Sequence, residues 1–267
     1  NLQSKKNLNE HLLPGLKAGG VNKELKKTVF PFRYNDFNGL KKIIDKNKDV
    51  GIIKMEVIRN EKPKNNFLKK VRDLATKNNI VLIFDECTTG FRETFGGIHK
   101  KYNVNPDMAI YGKALGNGYS ITAVLGKKEI MESAQKTFIS STFWTERIGP
   151  TAALKTLELM KKLSSWEIIT KNGKFMRKGW KKIAKKYNLD IKIIGIPSLT
   201  NFSFNYQNSQ KYMTFITQEM LKLGYLSSSR FYPSIKHNEK NISKYLEFLD
   251  GIFNQIKMCE NGNLNIN

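Results

Sequence analysis

Short apolar runs alternate with a polar helix in the first half of the chain. Residues 50–57 (VGIIKMEV) and 80–84 (IVLIF) are rich in β-branched side chains, which predicts two β-strands. The second run has no polar position, as is typical of a strand covered on both faces in a parallel sheet. Residues 65–79 between them carry apolar side chains at helical spacing. These side chains are Phe67, Leu68, Val71 and Leu74.

Two further short strands are predicted at residues 108–111 and 121–126. Strands that alternate with helical segments are typical of an α/β sheet, so this is the fold class we expect for the first half of the chain. Residues 1–28 are polar and contain glycine, which indicates a loop.

Longer helices are predicted in the second half of the chain. Pro150 suits the first turn of a long helix, and a strand pair with Pro197 between its strands follows later. The other predicted helices are residues 165–187, 209–223 and 238–257, and the strands are 191–196 and 199–206. We place a domain boundary near residue 160. It separates a large domain, residues 1–160, from a smaller C-terminal α+β domain, residues 161–267.

The charge of the chain is strongly positive, with 46 Lys and Arg against 23 Asp and Glu, a net charge of +23. Such a balance suggests a nucleic acid or another polyanion as a partner. However, the basic residues are mostly lysines spread along the whole chain, and the sequence has no arginine-rich arm and no RNA-binding signature. A solvated lysine-rich exterior is the simpler interpretation, and polyanion binding remains an alternative function.

Cysteine usage and hydropathy restrict the class of protein further. The two cysteines, Cys87 and Cys259, lie far apart in the sequence, which argues against a disulfide framework or a zinc site. The sequence also has no apolar run long enough for a membrane helix. We therefore expect a cytoplasmic protein without a metal site and without a membrane partner.

Two candidate catalytic groups follow neighbouring strands. Asp85 and Glu86 end the run 80–84, and Gly112-Lys113 follows the strand at 108–111. The carboxyl ends of parallel strands are where α/β sheets bind ligands. Pyridoxal 5′-phosphate (PLP) needs a lysine amine for attachment and a carboxylate that keeps its pyridine nitrogen protonated. The pattern thus predicts Lys113 as attachment point and proton carrier and Asp85 as electrostatic partner; the alternative is an Asp85 that only caps a turn.

The stretch from Leu82 to Met131 resembles class III aminotransferases, and most of all the glutamate-1-semialdehyde 2,1-aminomutase-like group. The residues that carry the resemblance are Asp85, Glu86, Thr89, Gly90, Phe91, Arg92, Pro106, Asp107, Gly112, Lys113, Gly116 and Gly118. The resemblance implies the α/β fold of fold type I PLP-dependent transferases, with a smaller C-terminal α+β domain. It also implies a homodimer and an aldimine at Lys113.

The resemblance suggests further cofactor contacts. Cys87 stands where the family has a valine that packs on the ring face, and Thr88 stands where a side chain binds the phenolic oxygen. Thr142 matches the threonine that reaches the cofactor phosphate of the other subunit, although a turn hydroxyl is the alternative role. Residues 144–150 (WTERIGP) replace the family's Gly-Asn-Pro and are expected at the active-site entrance, where they would alter the substrate.

These expectations predict PLP-dependent transfer of an amino group from a small-molecule donor to a carbonyl acceptor. Transamination and aminomutation use the same named residues, so both remain open. The resemblance also implies that part of a full-length enzyme precedes residue 1 and that residues 1–28 match the mobile active-site loop. The second alternative is accordingly an impaired fragment or remnant of such an enzyme.

Overall fold

The computed structural model describes residues 22, 24, 28–140, 142–143 and 145–265. Most of the loop predicted at residues 1–28 lies outside the described residues. The chain divides into two compact units. The first contains the residues up to 53 together with 63–81, and the second contains 54–62 together with the residues from 82 onward.

Two helices among the described residues lie in the first unit. Helix α1 spans Phe37–Lys46 and begins at Asp36, whose carboxylate accepts the Gly39 N–H at 2.9 Å. Helix α2 spans Phe67–Lys77, which confirms the helix predicted over 65–79. The four predicted apolar side chains of α2 are all buried: Phe67, Leu68, Val71 and Leu74.

A four-stranded sheet is built in the order β1-β2-β3-β4. Its strands are β1 (Ile52–Met55), β2 (Val81–Asp85), β3 (Met108–Tyr111) and β4 (Ala123–Gly126). Strands β2 and β3 are parallel, and β4 runs antiparallel to β3. All four predicted strands are therefore present. In β2, however, Leu82 and Phe84 are buried while Ile83 is half-buried, so one face of the strand is fully covered instead of both.

Asp107 fastens the beginning of β3 to β2. Its carboxylate accepts the Leu82 N–H at 2.8 Å and pairs with Lys127 Nζ at 2.8 Å. Its backbone N–H also donates to the Leu82 carbonyl at 2.8 Å. The Pro-Asp pair of the sequence thus has a structural role, because the two contacts of the buried carboxylate and the backbone hydrogen bond together fix the register of the two strands.

Short 3-10 turns lie between the strands of the sheet, Ile98–Tyr102 between β2 and β3 and Lys113–Leu115 between β3 and β4. Helix α3 (Lys128–Met131) and a 3-10 turn at Glu132–Lys136 follow β4. Helix α4 spans Ile148–Leu163 and helix α5 spans Ser165–Lys186. Ser164 separates them with a φ of +46°, in the left-handed region that ends helices. The domain boundary predicted near residue 160 falls within α4 and stays a prediction.

The C-terminal part is an antiparallel sheet covered by helices. Its strands, in the order β5-β6-β7, are Ile191–Ile196, Leu199–Phe204 and Arg230–Phe231. Helix α6 is Ser209–Lys222 and helix α7 is Glu239–Glu260. The Trp180 ring of α5 packs on Phe202 of β6, with ring centroids 4.7 Å apart. This arrangement matches the α+β architecture expected after residue 160. None of the helices among the described residues combines the length and apolar character needed to cross a membrane.

A glycine on α5 sets how closely this helix approaches the turn between β5 and β6. A Cβ on Gly173 would lie 1.9 Å from the Pro197 carbonyl oxygen, which is backbone and cannot rotate away. We expect Gly173→Ala to lower the free energy of unfolding by about 2–3 kcal/mol, measured by urea denaturation. The matched control is Gly251→Ala on α7, where nothing lies within 4 Å, and it should stabilise by about 0.5–1 kcal/mol. Equal effects at both sites would refute the close packing at Gly173.

Candidate active site

The parallel pairing of β2 and β3 brings the two predicted catalytic groups to one edge of the sheet. Asp85 is the last residue of β2 and lies opposite Ile110 of β3. Lys113 follows two residues after the end of β3. The juxtaposition of Asp85 and Lys113 expected from the sequence is therefore present in the structure, and both lie in the second unit.

Lys113 is held in a strained backbone conformation. Its φ is +45°, in the left-handed region that costs a non-glycine residue about 1 kcal/mol. Its amine donates a hydrogen bond to Thr88 Oγ1 at 2.6 Å, and Thr88 is itself buried. Such strain persists where the surroundings impose it, and it is concentrated at functional sites.

Asp85 carries its negative charge between two donors. One carboxylate oxygen accepts the Cys87 N–H at 3.1 Å, and the other pairs with Lys54 Nζ at 3.1 Å. Burial by itself would raise the pKa of Asp85, but the hydrogen bond from Lys54 and the backbone N–H of Cys87 outweigh it and lower the pKa. Asp85 is consequently ionised at neutral pH.

The lowered pKa predicts a pH-dependent contribution of Asp85 to stability. Ionised Asp85 stabilises the fold above its unfolded pKa of about 3.9, and this stabilisation is lost as the pH falls through the lower folded pKa. Lys54→Met should raise the pKa of Asp85. This pKa is measured by titrating the ¹³C resonance of the Asp85 carboxylate, which is assigned by its absence in Asp85→Asn. The loss of stability at pH 7 should stay below about 1 kcal/mol, because the Lys54 side chain is 55% exposed. A pKa unchanged in Lys54→Met would contradict the ion pair.

Cys87 lies against the backbone that carries Lys113. Its Sγ is 3.4 Å from the position that a Cβ on Gly112 would occupy. Burial raises the pKa of the Cys87 thiol, and the negative charge of Asp85 adds to this effect. Cys87 is thus a neutral, small, apolar side chain at neutral pH, and this chemistry is compatible with packing against a ring.

Glu86, the second carboxylate after β2, anchors the following loop. It is completely buried and accepts hydrogen bonds from the Thr89 hydroxyl at 2.6 Å and the His99 backbone N–H at 3.0 Å. His99 Nδ1 lies 2.9 Å from the same carboxylate. Burial, aided by the charge of Glu86, raises the pKa of the adjacent Tyr111 to about 12. Glu86 therefore acts as a structural residue that positions the Asp85 loop.

Replacing Glu86 should destabilise the fold. We expect Glu86→Ala to cost about 3 kcal/mol, because it leaves the buried Thr89 hydroxyl and the His99 N–H without their acceptor. The measurement is the free energy of unfolding by urea denaturation. Glu129→Ala, which removes an exposed glutamate, should change it by less than about 0.5 kcal/mol. A loss below 1 kcal/mol for Glu86→Ala would contradict this role.

A cavity of about 740 Å³ opens beside Lys113. Arg92 and Ser165 line it with polar groups, and Leu159 and Ile169 contribute apolar surface. The sequence pattern gave Arg92 no chemical role and did not single out Ser165. It missed Lys54 as well, although side chains alternate along β1 and this alternation places Lys54 on the face opposite to the buried Ile53 and Met55.

The structure brings together four of the five predicted site residues: Asp85, Cys87, Thr88 and Lys113. The fifth, Thr142, is exposed in a turn, and its role stays a prediction. The segment 144–150 has a local function in the fold, because the Glu146 carboxylate accepts the N–H groups of Ile148 and Gly149 at the beginning of α4. Trp144 lies outside the described residues.

A family model for class III aminotransferases matches residues 41–251, which is most of the chain. The chain belongs to the class III aminotransferase family. This confirms the resemblance read from Asp85 to Gly118. Class III aminotransferases are PLP-dependent enzymes, in agreement with the predicted cofactor.

Individual class III relatives show the same relationship. A 3-aminobutyryl-CoA aminotransferase of Cloacimonas acidaminovorans is 33% identical over 213 residues, which cover 77% of this chain and 51% of the relative. A glutamate-1-semialdehyde 2,1-aminomutase of Methanococcus maripaludis is 29% identical over 253 residues, covering 86% of this chain and 59% of the relative. The chain thus spans between half and three-fifths of the length of these relatives.

Solved structures confirm the fold. The PLP internal aldimine form of the FumI protein of Sphingopyxis sp. MTA144 superposes with a TM-score of 0.81 at 21% identity, covering 89% of this chain and 59% of that one. An omega-transaminase of Sphaerobacter thermophilus gives a TM-score of 0.79 at 18% identity, covering 88% and 59%. The predicted α/β fold of PLP-dependent transferases is therefore correct.

Proposed function

We propose that this chain carries out PLP-dependent transfer of an amino group, with Lys113 and Asp85 as its catalytic residues. The observation that supports this most directly is the placement of an ionised carboxylate and a strained lysine at the same edge of the sheet. When bound, PLP supplies an electron sink for the carbon that carries the amino group. The residues present suit that group, because it requires one amine and one anionic acceptor.

Lys113 has two tasks in this proposal. Its amine holds the cofactor covalently, and after displacement by the substrate amine it carries a proton to and from the reacting carbon. The Thr88 hydroxyl, 2.6 Å from Lys113 Nζ, orients the amine and is free to donate its own hydrogen to an oxygen of the cofactor. The strained φ of Lys113 fixes the direction in which its side chain leaves the backbone.

Asp85 would accept a hydrogen bond from the protonated pyridine nitrogen. In the structure Lys54 pairs with one of its oxygens, and on cofactor binding Lys54 would share this oxygen or leave it. This is inexpensive, because the Lys54 side chain is long, more than half exposed and able to move into water. The other oxygen would keep the Cys87 N–H, and the small Cys87 side chain would suit packing against the ring.

The substrates are proposed as a small-molecule amino donor and a carbonyl acceptor. The relatives include both an aminotransferase and an aminomutase, and the residues at the sheet edge serve either reaction. We further propose the division into a PLP-binding domain, residues 1–160, and a small domain, residues 161–267. A cytoplasmic location is supported by the two cysteines, which are both free.

A homodimer is supported by apolar side chains that the chain leaves exposed. Phe138 is 97% exposed, and Phe143 and Leu154 are 74% and 70% exposed. Side chains of this size in contact with water are typical of a surface that a second copy covers. In that dimer Thr142, next to Phe143, would reach the cofactor phosphate held by the partner.

The experiment that tests the proposed function is a single-turnover assay. The chain is loaded with PLP and mixed with a panel of amino donors, and the loss of bound pyridoxal is followed by absorbance and the carbonyl product by mass spectrometry. At least one donor should give product in an amount equal to the bound cofactor. If the loaded chain converts no donor, the proposed activity is wrong, and the chain is a binding protein or an impaired fragment.

A further inference from the structure

A groove of about 800 Å³ runs between helices α5 and α7, and the proposed reaction uses none of the residues that line it. Its floor is apolar and contains Phe175, Gly179 and Leu246, of which the two large side chains are half-buried. Leu246 closely approaches the backbone of α5, because a Cβ on Gly179 would lie 2.2 Å from Leu246 Cδ1. Apolar surface left open between two helices is suited to a further polypeptide segment.

Lysines form the wall of this groove on the side of α5. Lys178, Lys182 and Lys186 follow one another at a spacing of four residues, so they lie on the same side of the helix. Lys186 is paired with Asp250 of α7, and its amine lies 2.6 Å from the carboxylate. Lys178 and Lys182 are exposed and have no ion pair among the described residues. Two unpaired cations beside an apolar floor favour an occupant that is both acidic and apolar.

The rest of α5 adds to this positive charge. The helix has seven lysines and one arginine against one glutamate, a net charge of +7. All its lysines are exposed, namely Lys171, Lys174, Lys178, Lys181, Lys182, Lys185 and Lys186. Like charges three and four residues apart destabilise a helix, so an acidic partner would relieve a repulsion that α5 otherwise bears. A second copy of this chain is not suited to this surface, because its own net charge is +23.

We propose that the groove between α5 and α7 binds an acidic amphipathic helix of a partner protein. The apolar side of that helix would pack on Phe175 and Leu246, and its carboxylates would pair with Lys178 and Lys182. Glu247 lines the opposite wall, so the carboxylates of the partner have to lie on the side of α5. A nucleic acid is less well suited to this groove, because the Glu247 carboxylate repels phosphates.

The test measures how three fluorescein-labelled helical peptides of about four turns bind the chain, by fluorescence anisotropy at about 0.15 M salt. The first peptide has leucines on one side and glutamates on one flank. The second has glutamines in place of the leucines, and the third has glutamines in place of the glutamates. The first should bind at least about tenfold more tightly than either of the others, because it alone supplies both kinds of contact. Equal binding of the first peptide and either control peptide would overturn the proposal.

Variants of α5 locate the binding to the groove. Lys178→Gln/Lys182→Gln removes the two unpaired cations of the wall and should weaken the first peptide by at least about fivefold. The matched control, Lys181→Gln/Lys185→Gln, removes two lysines of the same spacing from the same helix, outside the groove. It should weaken the first peptide by less than about twofold, because salt screens charges that make no direct contact. All four lysines are exposed, so both variants should fold. Equal weakening in the two variants would refute the groove as the binding site.

An oligonucleotide and the proposed reaction provide two further comparisons. If Lys178→Gln/Lys182→Gln weakens a single-stranded oligonucleotide of about 16 nucleotides as much as it weakens the first peptide, the occupant is a nucleic acid and the proposal is wrong. The peptide assay involves neither PLP nor Lys113, so this inference does not rest on the proposed function. A chain that binds the first peptide in the groove but transfers no amino group would establish the docking surface and refute the proposed function.

Discussion

Lys113→Ala is expected to abolish amino-group transfer, with a loss of at least about 10³-fold in single-turnover rate. The variant removes both the covalent attachment of the cofactor and the group that carries the proton, and the effects of nucleophilic and acid–base catalysis are lost together. The side chain is exposed and its contact is one hydrogen bond to Thr88, so the fold should remain. The measurement is product formation after mixing with the best donor of the panel.

The control for Lys113→Ala is Lys128→Ala, which removes an exposed lysine from helix α3. It should leave the rate within about twofold, because exposed lysines contribute little to stability. An active Lys113→Ala variant would contradict the assignment of Lys113 as the catalytic lysine.

The strained backbone at residue 113 leads to a second prediction, on stability. Alanine has a conformational penalty at positive φ similar to that of lysine, and glycine does not. Lys113→Gly should therefore be more stable than Lys113→Ala by about 1 kcal/mol.

Asp85→Asn is expected to lower the transfer rate by about 10²–10³-fold while cofactor attachment at Lys113 remains. An amide has no negative charge to keep a pyridine nitrogen protonated, and removal of one preorganised electrostatic group has effects of this size. The amide oxygen can still accept the Cys87 N–H, so the loop should keep its conformation. The two readouts are the single-turnover rate and the fraction of Lys113 labelled after reduction.

This split between rate and attachment distinguishes an electrostatic role of Asp85 from a structural one. If Asp85 only capped the turn after β2, the asparagine variant would keep its rate, because asparagine caps turns as well as aspartate does. Asp49→Asn, at an exposed position in the first unit, is the matched control and should have no effect on either readout. A full rate for Asp85→Asn would support the capping alternative.

Much of this fold follows from local sequence patterns. Helix α2 and strand β2 could be predicted because a helix and a strand each bury side chains at a characteristic spacing in the sequence. Asp85 and Lys113 are predictable as a pair because the parallel pairing of β2 and β3 places the residues after each strand at one edge. In both cases short-range pattern and topology are sufficient.

Other parts of the site depend on contacts between distant segments. Ser165 belongs to a helix that was predicted correctly, but it lies 52 residues after Lys113 in the chain. Its position at the cavity depends on how the beginning of α5 packs. The pairing of Lys54 with Asp85 requires the strand order of the sheet, which periodicity does not determine. The apolar run of β2 predicted that both of its faces would be buried, and one face is only half-buried. An apolar run does not determine which other segments pack on the sheet.

The assignment of Lys113 as the attachment point of PLP is tested most directly by mapping the lysine that PLP modifies. The purified chain is mixed with PLP, reduced with borohydride and digested, and the modified peptide is identified by mass spectrometry. Labelling should be stoichiometric at Lys113 and absent at this position in Lys113→Ala, with the many exposed lysines labelled only in trace amounts. Absent labelling, or labelling spread evenly over the surface lysines, would contradict the proposed active site.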